Sequence, residues 1–167
     1  WRATARAGAL QVKVHEKTAD PKMLVIINAQ TSEAQWGDLV EYEQQAVEYM
    51  ISLAASLCVN ALRFGAEAGF AINVPVAEED GPTLLPPSKS SAREGEILSA
   101  MAHLTLRRTR TILKVLDDLR ACTGMDLLLL SAYDSVLLQS KLDALRQSGN
   151  TVTLQLIGKR EAEAAAS

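Results

Sequence analysis

Two histidines, two cysteines and one short arginine run carry the side chains of this 167-residue chain whose chemistry is most easily named. His15 falls in a stretch that alternates apolar and polar residues, and His103 falls in a helical one. Neither has a nucleophile beside it, so solvent-facing or capping roles suit them better than general acid–base work. Cys58 and Cys122 each sit in an apolar helical stretch. With no CxxC or Cys/His spacing, two buried free thiols in a reducing compartment fit better than zinc or a disulfide. Arg107, Arg108 and Arg110 could grip a phosphate or an acidic partner. No aromatic is interleaved with them, and a solvated corner between two helices is the plainer role. Glu78, Glu79 and Asp80 form an acidic loop. There is no GxSxG elbow and no GxxxxGK[ST] loop. Gly65-Ala66-Glu67-Ala68-Gly69 joins a helix to a strand, the wrong order for a phosphate cradle.

The elements that would position these groups follow from hydrophobic periodicity. Residues 10–16 alternate and predict a half-buried edge strand. MLVIIN, residues 23–28, is a continuous apolar run and predicts a strand buried on both faces. A helix is predicted from about 40 to 64, with Val47, Met50, Ile51, Ala54, Leu57, Cys58, Ala61 and Leu62 at helical spacing and Gly65 closing it. GFAINV, residues 69–74, predicts a second buried strand stopped by Pro75. A Glu-, Pro- and Ser-rich loop follows over residues 76–91. Ser91-Ala92-Arg93-Glu94 reads as a capping box that starts a helix with Ile97, Leu98, Met101 and Leu104 inward. A further helical piece is predicted over residues 111–121, a strand over MDLLLLS at 125–131, a helix over 135–148 and a last strand over TVTLQLI at 151–157. Strands alternating with helices predict a three-layer α/β fold, a mostly parallel sheet with helices on both faces. Residues 1–157 form one domain, and 158–167 are expected to fray.

Composition narrows the function classes. Hydrophobic residues are 48%, charged residues 22% and aromatics 4%, and the net charge is −3. That balance gives no reason to expect nucleic acid or an anionic membrane surface as partner. No continuous apolar run approaches a membrane span, and no segment reads as a signal peptide. The chain begins at Trp1 rather than Met and is expected to be part of something longer.

The opening, Trp1-Arg2-Ala3-Thr4-Ala5-Arg6-Ala7-Gly8-Ala9-Leu10, resembles the W-[RK]-[AS]-[ST]-A-R-x-G-x-L segment of a bacterial family, the domain of unknown function fifty-eight. The resemblance implies a von Willebrand A-like (Rossmann-like) fold over about residues 1–157. It also implies a parent protein that is membrane-anchored, with this segment as its soluble, cytoplasm-facing part. Members of the family are commonly linked with MoxR-type AAA+ ATPases, so such an ATPase is the implied partner.

In von Willebrand A domains the loop after the central strand carries a D-x-S-x-S metal motif. Here that position reads Asn28-Ala29-Gln30-Thr31-Ser32, with Asn for Asp and Gln for the first Ser. The resemblance makes Asn28, Gln30, Ser32 and Asp134 a degenerate Mg²⁺ or Mn²⁺ site, with Asp38 and Glu33 as possible substitutes. A hard cation wants at least one carboxylate, and amide carbonyls hold it weakly. Asp134 better suits the N-cap of the following helix, and Ser32, Asn28 and Gln30 better suit backbone hydrogen bonding in the loop.

The crevice beyond the strand ends would lie between loops 28–38 and 131–135. Trp36 and Asp38 in the first loop, and Glu78, Glu79 and Asp80 in the long 76–91 loop, are the candidate partner contacts. The expectation is a non-catalytic protein–protein interaction module with no required cofactor. A metal-dependent ligand-binding domain is the alternative.

Overall fold

The structure is a computed structural model that describes residues 20–35, 37–76 and 83–158. The expected strand at 10–16, Trp1, Trp36, Glu78, Glu79, Asp80 and the 159–167 tail lie outside the described residues.

Seven strands and four α-helices are described in chain order. They are β1 (Lys22–Ile27), β2 (Gly37–Asp38), α1 (Glu41–Arg63), β3 (Glu67–Ile72), β4 (Thr83–Ser88), α2 (Arg93–Ala102), β5 (Arg107–Arg108), α3 (Ile112–Asp118), β6 (Asp126–Ser131), α4 (Val136–Gln147) and β7 (Thr151–Leu156). The main sheet has the order β4-β3-β1-β6-β7. β3, β1, β6 and β7 are parallel to one another, and β4 runs antiparallel along β3. β2 and β5 form a separate two-stranded ribbon. The expected three-layer α/β arrangement is the one observed.

The two faces of β1 explain its uniform apolar sequence. Val25 and Ile27 point to one side with Phe70 and Ile72, under α1 and α2. Leu24 and Ile26 point to the other with Leu127 and Leu129, under α3 and α4. A strand covered on both sides has no polar position to spare. α1 supplies Val47, Met50, Ala54 and Cys58 to the first face, all fully buried. Each large side chain so buried contributes about 1.5–3 kcal/mol before entropy is counted. By length and mean hydropathy, 1.2 over its best window, α1 is the one helix among the described residues that could cross a membrane. Here its inward stripe packs on β1 and β3, and its outer ridge carries Glu48, Ser52, Ser56 and Asn60.

Four expectations need correction. The 76–91 segment is not all loop, because residues 83–88 form the edge strand β4. Its Pro86 and Pro87 hide it from a sequence reading, since proline donates no ladder hydrogen bond and survives only at an edge. The Ser91–Glu94 capping box does not form. α2 starts at Arg93 with Ala92 at the N-cap and no side-chain cap. The inward pull of Arg93, whose Nε donates to the Ala68 carbonyl at 3.2 Å, sets that start. With Ile97 and Met101 on the buried stripe, Leu98 is turned outward and is 43% exposed. Gly124 does not end α3 directly, because a 3₁₀ turn at Leu119–Ala121 intervenes.

Candidate rim site

Three apolar strands that lie side by side each end on a polar residue. Asn28 follows β1, Asn73 follows β3 and Ser131 closes β6. All three are completely buried. They meet because parallel strands bring their carboxyl ends to one edge of the sheet, where β1 is the point of strand-order reversal.

Their hydrogen bonds close on one another. Asn28 Nδ2 donates to Ser131 Oγ at 3.0 Å, and Asn28 Oδ1 accepts from the Gln30 amide at 3.0 Å. Asn73 Oδ1 accepts from the Ala29 amide at 2.7 Å, and its Nδ2 donates to the Arg110 carbonyl at 3.1 Å. Gln30, 1% exposed, accepts at Oε1 from the Ile112 amide at 2.8 Å and from Asn73 Nδ2 at 3.4 Å. Its Nε2 donates to the Gln35 carbonyl at 3.2 Å. Ser131 Oγ donates to the Tyr133 carbonyl at 2.7 Å. Four loops are thus sewn together by uncharged side chains. Asn73→Ala leaves the buried Ala29 N–H without an acceptor and is expected to cost about 1–3 kcal/mol in urea-induced unfolding. A loss below about half a kcal/mol would mean the cluster is slack.

A second network fastens the 31–38 loop to the start of α1. Arg108 and Glu43 form a buried ion pair, Nη2 to Oε2 at 3.2 Å, with both side chains 3% exposed. Arg108 also donates to the Asp38 carbonyl at 2.9 Å and to Gln35 Oε1 at 3.1 Å. Thr31 Oγ1 donates to Glu43 Oε1 at 2.8 Å, and Gln35 Nε2 donates to the same oxygen. Glu43 also takes the Val40 N–H at 3.0 Å, the half of a capping box that Val40 leaves to it. Burial pushes the Glu43 carboxyl up. The Val40, Thr31 and Arg108 contacts outweigh burial and hold it below its usual value.

The arginine run is a solvated corner only in part, since Arg107 is exposed, Arg110 half-buried and Arg108 buried, and each has a partner within the chain. Arg107 lies 3.6 Å from Asp38, Arg108 is buried on Glu43, and Arg110 lies 2.8 Å from Asp118. Neither Glu43 nor Asn73 was legible as a site residue in the sequence, although a polar residue ending each of three neighbouring apolar runs was the available signal.

The four residues of the degenerate metal motif do not converge. Asn28 and Gln30 are buried with their oxygens turned to protein N–H groups. Ser32 is exposed, and its backbone N–H donates to Gln35 Oε1 at 2.9 Å. Asp134 is exposed and accepts from Gln139 Nε2 at 2.9 and 3.0 Å. It is not the N-cap of α4, because Ser135 takes that place and accepts from the Leu138 amide at 3.2 Å. Of the two substitutes, Asp38 faces Arg107, while Glu33 accepts from Ser135 Oγ at 3.1 Å and bridges the first and third loops. Among the described residues no three His, Cys, Asp or Glu side chains gather. A buried donor set without a carboxylate does not suit a divalent cation.

The other candidate groups are placed plainly. His103 is exposed, with Nδ1 2.7 Å from the Ser99 carbonyl of its own helix. Cys58 is buried, and desolvation pushes its thiol up to about 12, only partly opposed by Arg93. Cys122, expected to be buried, is half-buried. Tyr133 is half-buried at the rim. Burial raises its phenol, Glu33 adds to the rise and a hydrogen bond with Asn28 opposes it.

The mixed sheet lies between two helical layers, the three-layer α/β form that the alternation of strands and helices implied. No curated protein matches the chain in sequence. Among solved structures it is similar to one titled "Crystal Structure of the SpRpn10 VWA domain", at 12% identity and a TM-score of 0.44, over 84% of this chain and 89% of that one. Likeness of that degree passes no role from that protein to this one. The family model described as "Protein of unknown function DUF58" matches residues 1–165, and the chain belongs to that family.

Proposed function

We propose that this domain is a non-catalytic protein–protein interaction module that meets its partner at the carboxyl rim of the sheet. The observation that carries the reading is where the apolar surface lies. Of the eight large hydrophobic side chains exposed among the described residues, five stand at that rim: Val40, Tyr42, Val136, Leu137 and Leu156. Val136 is 86% exposed at the first turn of α4. It borders a shallow depression of about 770 Å³ that Asp134, Gln139 and Asp143 also line. Apolar side chains along one edge of the sheet, set beside polar and acidic ones, are the composition of a contact surface.

The rigid amide cluster beneath supports the same reading, because it holds the surrounding loops in one arrangement before any partner arrives. The partner proposed is a MoxR-type AAA+ ATPase, on family resemblance. With it goes a cytoplasm-facing position in a membrane-anchored parent, since such an ATPase needs nucleotide. Metal-dependent binding is not favoured by any contact at the rim.

The test is equilibrium binding between this chain and a MoxR-type ATPase from the same genome, with Val136→Asp/Leu137→Asp as the variant. Binding that weakens about a hundredfold without a change in melting temperature supports the rim. Unchanged affinity in the variant removes the rim from the interface. No binding by the unsubstituted chain removes the ATPase as partner.

A further inference from the structure

α4 divides its residues between two faces. Leu138, Leu142 and Leu145 point inward and join the core with Val152. Val136, Gln139, Ser140, Asp143 and Gln147 point outward and border the shallow depression at the rim. That outward side is apolar only at its start. Val136 is 86% exposed, and Leu137 beside it is 56% exposed. Neither belongs to either core cluster. Neither is needed to start the helix, since Ser135 caps it, and a β-branched valine is a poor helix former.

The charge beside this apolar pair has one sign. Asp134 and Glu33 are both exposed. Each is held by a neutral donor. Gln139 Nε2 donates to the two Asp134 oxygens at 2.9 and 3.0 Å, and Ser135 Oγ donates to Glu33 Oε1 at 3.1 Å. Neither carboxylate has a salt bridge among the described residues. The cations of α4 are engaged elsewhere, Lys141 on Asp117 at 2.7 Å and Arg146 on Asp143 at 2.6 Å. Two carboxylates therefore stand without a counter-charge, in places that their hydrogen bonds settle before a partner arrives. The helix dipole favours carboxylates at this end. That accounts for the acids but not for the bare valine and leucine next to them.

We propose that this surface docks a basic, apolar segment of another protein. One or two apolar side chains of the segment cover Val136 and Leu137, and flanking Lys or Arg side chains meet Asp134 and Glu33. The inference rests on the rim reading above and adds to it the chemistry of the partner. An apolar pair alone would accept any apolar segment. The two carboxylates select by sign, because they attract a cationic flank and repel an anionic one. An anionic lipid surface or a nucleic acid is repelled for the same reason. Exposed charge pairs are weak singly. Discrimination between the two signs is therefore expected to be about tenfold at low salt and to close at about 1 M salt.

Amide chemical shifts of the 167-residue chain, titrated with three synthetic peptides, test this. The first carries two leucines between lysines, the second has glutamate for each lysine, and the third has alanine for each leucine. The first is expected to shift the amides of residues 134–140 and to bind about tenfold more tightly than either of the others at low salt. Glu33→Gln/Asp134→Asn removes both charges and keeps an acceptor for each donor, so the lysine and glutamate peptides should bind it alike. Val136→Ser/Leu137→Ser, at exposed positions, should weaken the lysine peptide about tenfold. Equal binding of the lysine and glutamate peptides by the unsubstituted chain overturns the proposal and leaves the apolar rim standing. So does a preference for lysine that survives Glu33→Gln/Asp134→Asn. Binding that ignores Val136→Ser/Leu137→Ser, or shifts confined to residues away from the rim, overturns the proposal and the rim reading together. No shift with the lysine peptide at about 1 mM also overturns the proposal, while binding of the ATPase still decides the rim reading.

Discussion

Gly69→Ala is expected to detach the edge of the sheet. A Cβ built on Gly69 would lie 2.2 Å from the Leu85 carbonyl oxygen and 2.7 Å from both the Pro86 carbonyl carbon and the Pro87 nitrogen. Those atoms are backbone, and two belong to prolines, so nothing nearby can swing aside. The close approach exists because β4 bulges toward β3 at this point, where the pairing jumps from Ala68↔Ser88 to Phe70↔Leu85. Overpacking of a well-filled site costs about 1–3 kcal/mol and more when only backbone can yield, so a loss of about 3 kcal/mol or more is expected. Urea unfolding measures it, and exchange of the Leu84 and Leu85 amides shows whether β4 has let go. Gly95→Ala is the matched control. Gly95 lies within α2 with nothing within 4 Å of the added carbon. Replacing a helical glycine there should stabilise by about 0.5–1 kcal/mol. Equal losses in both variants would mean that the β3–β4 contact is not the cause.

The second large effect is at the buried ion pair. Glu43→Ala or Arg108→Ala alone leaves a charge in a nearly dry site with its partner gone, which costs about 3–5 kcal/mol. The double variant Glu43→Ala/Arg108→Ala strands neither charge and should lose clearly less than the sum of the two single losses. Additive losses would show that the two residues act separately.

The same pair gives the domain an acid sensitivity of defined sign. Glu43 is held below its usual carboxylate value in the folded chain. A depressed folded value means that the unfolded state binds the proton more readily. The stabilisation is therefore fully present above the ordinary carboxylate range, around pH 4.3 for a free Glu. It is lost as the pH falls below that range and through the folded value. Glu43→Gln should flatten this part of the stability curve between pH 5 and the acid limit, measured as the urea midpoint at each pH. An unchanged slope would mean that Glu43 is not the group responsible.

What the sequence made legible follows from which forces are local. β1 and β6 were readable because burial on both faces demands unbroken apolar runs, and MLVII and LLLL can do little else. The inward stripe of α3 and the 3₁₀ turn after it, Ile112, Val115, Leu116 and Leu119, was readable because helical spacing repeats within one turn. β4 was not, since TLLPPS carries the residues that end strands, and only its place at an edge lets it be one.

The site was legible in position but not in chemistry. The rim loops lie where the strand pattern placed them. Asn28 and Gln30 serve the backbone of neighbouring loops, however, and Asp134 points to Gln139. The Glu43–Arg108 pair joins residues 65 apart in the chain, a separation that no periodic pattern records. Arg108 sits in a run with two exposed or half-exposed arginines, so its burial follows from tertiary contacts, the pairing of β5 with β2 and the Glu43 carboxylate.

We propose that the rim, whose buried Asn28–Gln30–Asn73–Ser131 cluster is uncharged, works by contact without a divalent cation. Thermal unfolding of the 167-residue chain with and without millimolar Mg²⁺ or Mn²⁺, beside Asp134→Ala, tests it most directly. The same midpoint is expected under every condition, because no carboxylate is gathered with Asn28 and Gln30. A midpoint that rises by several degrees with metal, and loses that rise in Asp134→Ala, would contradict it.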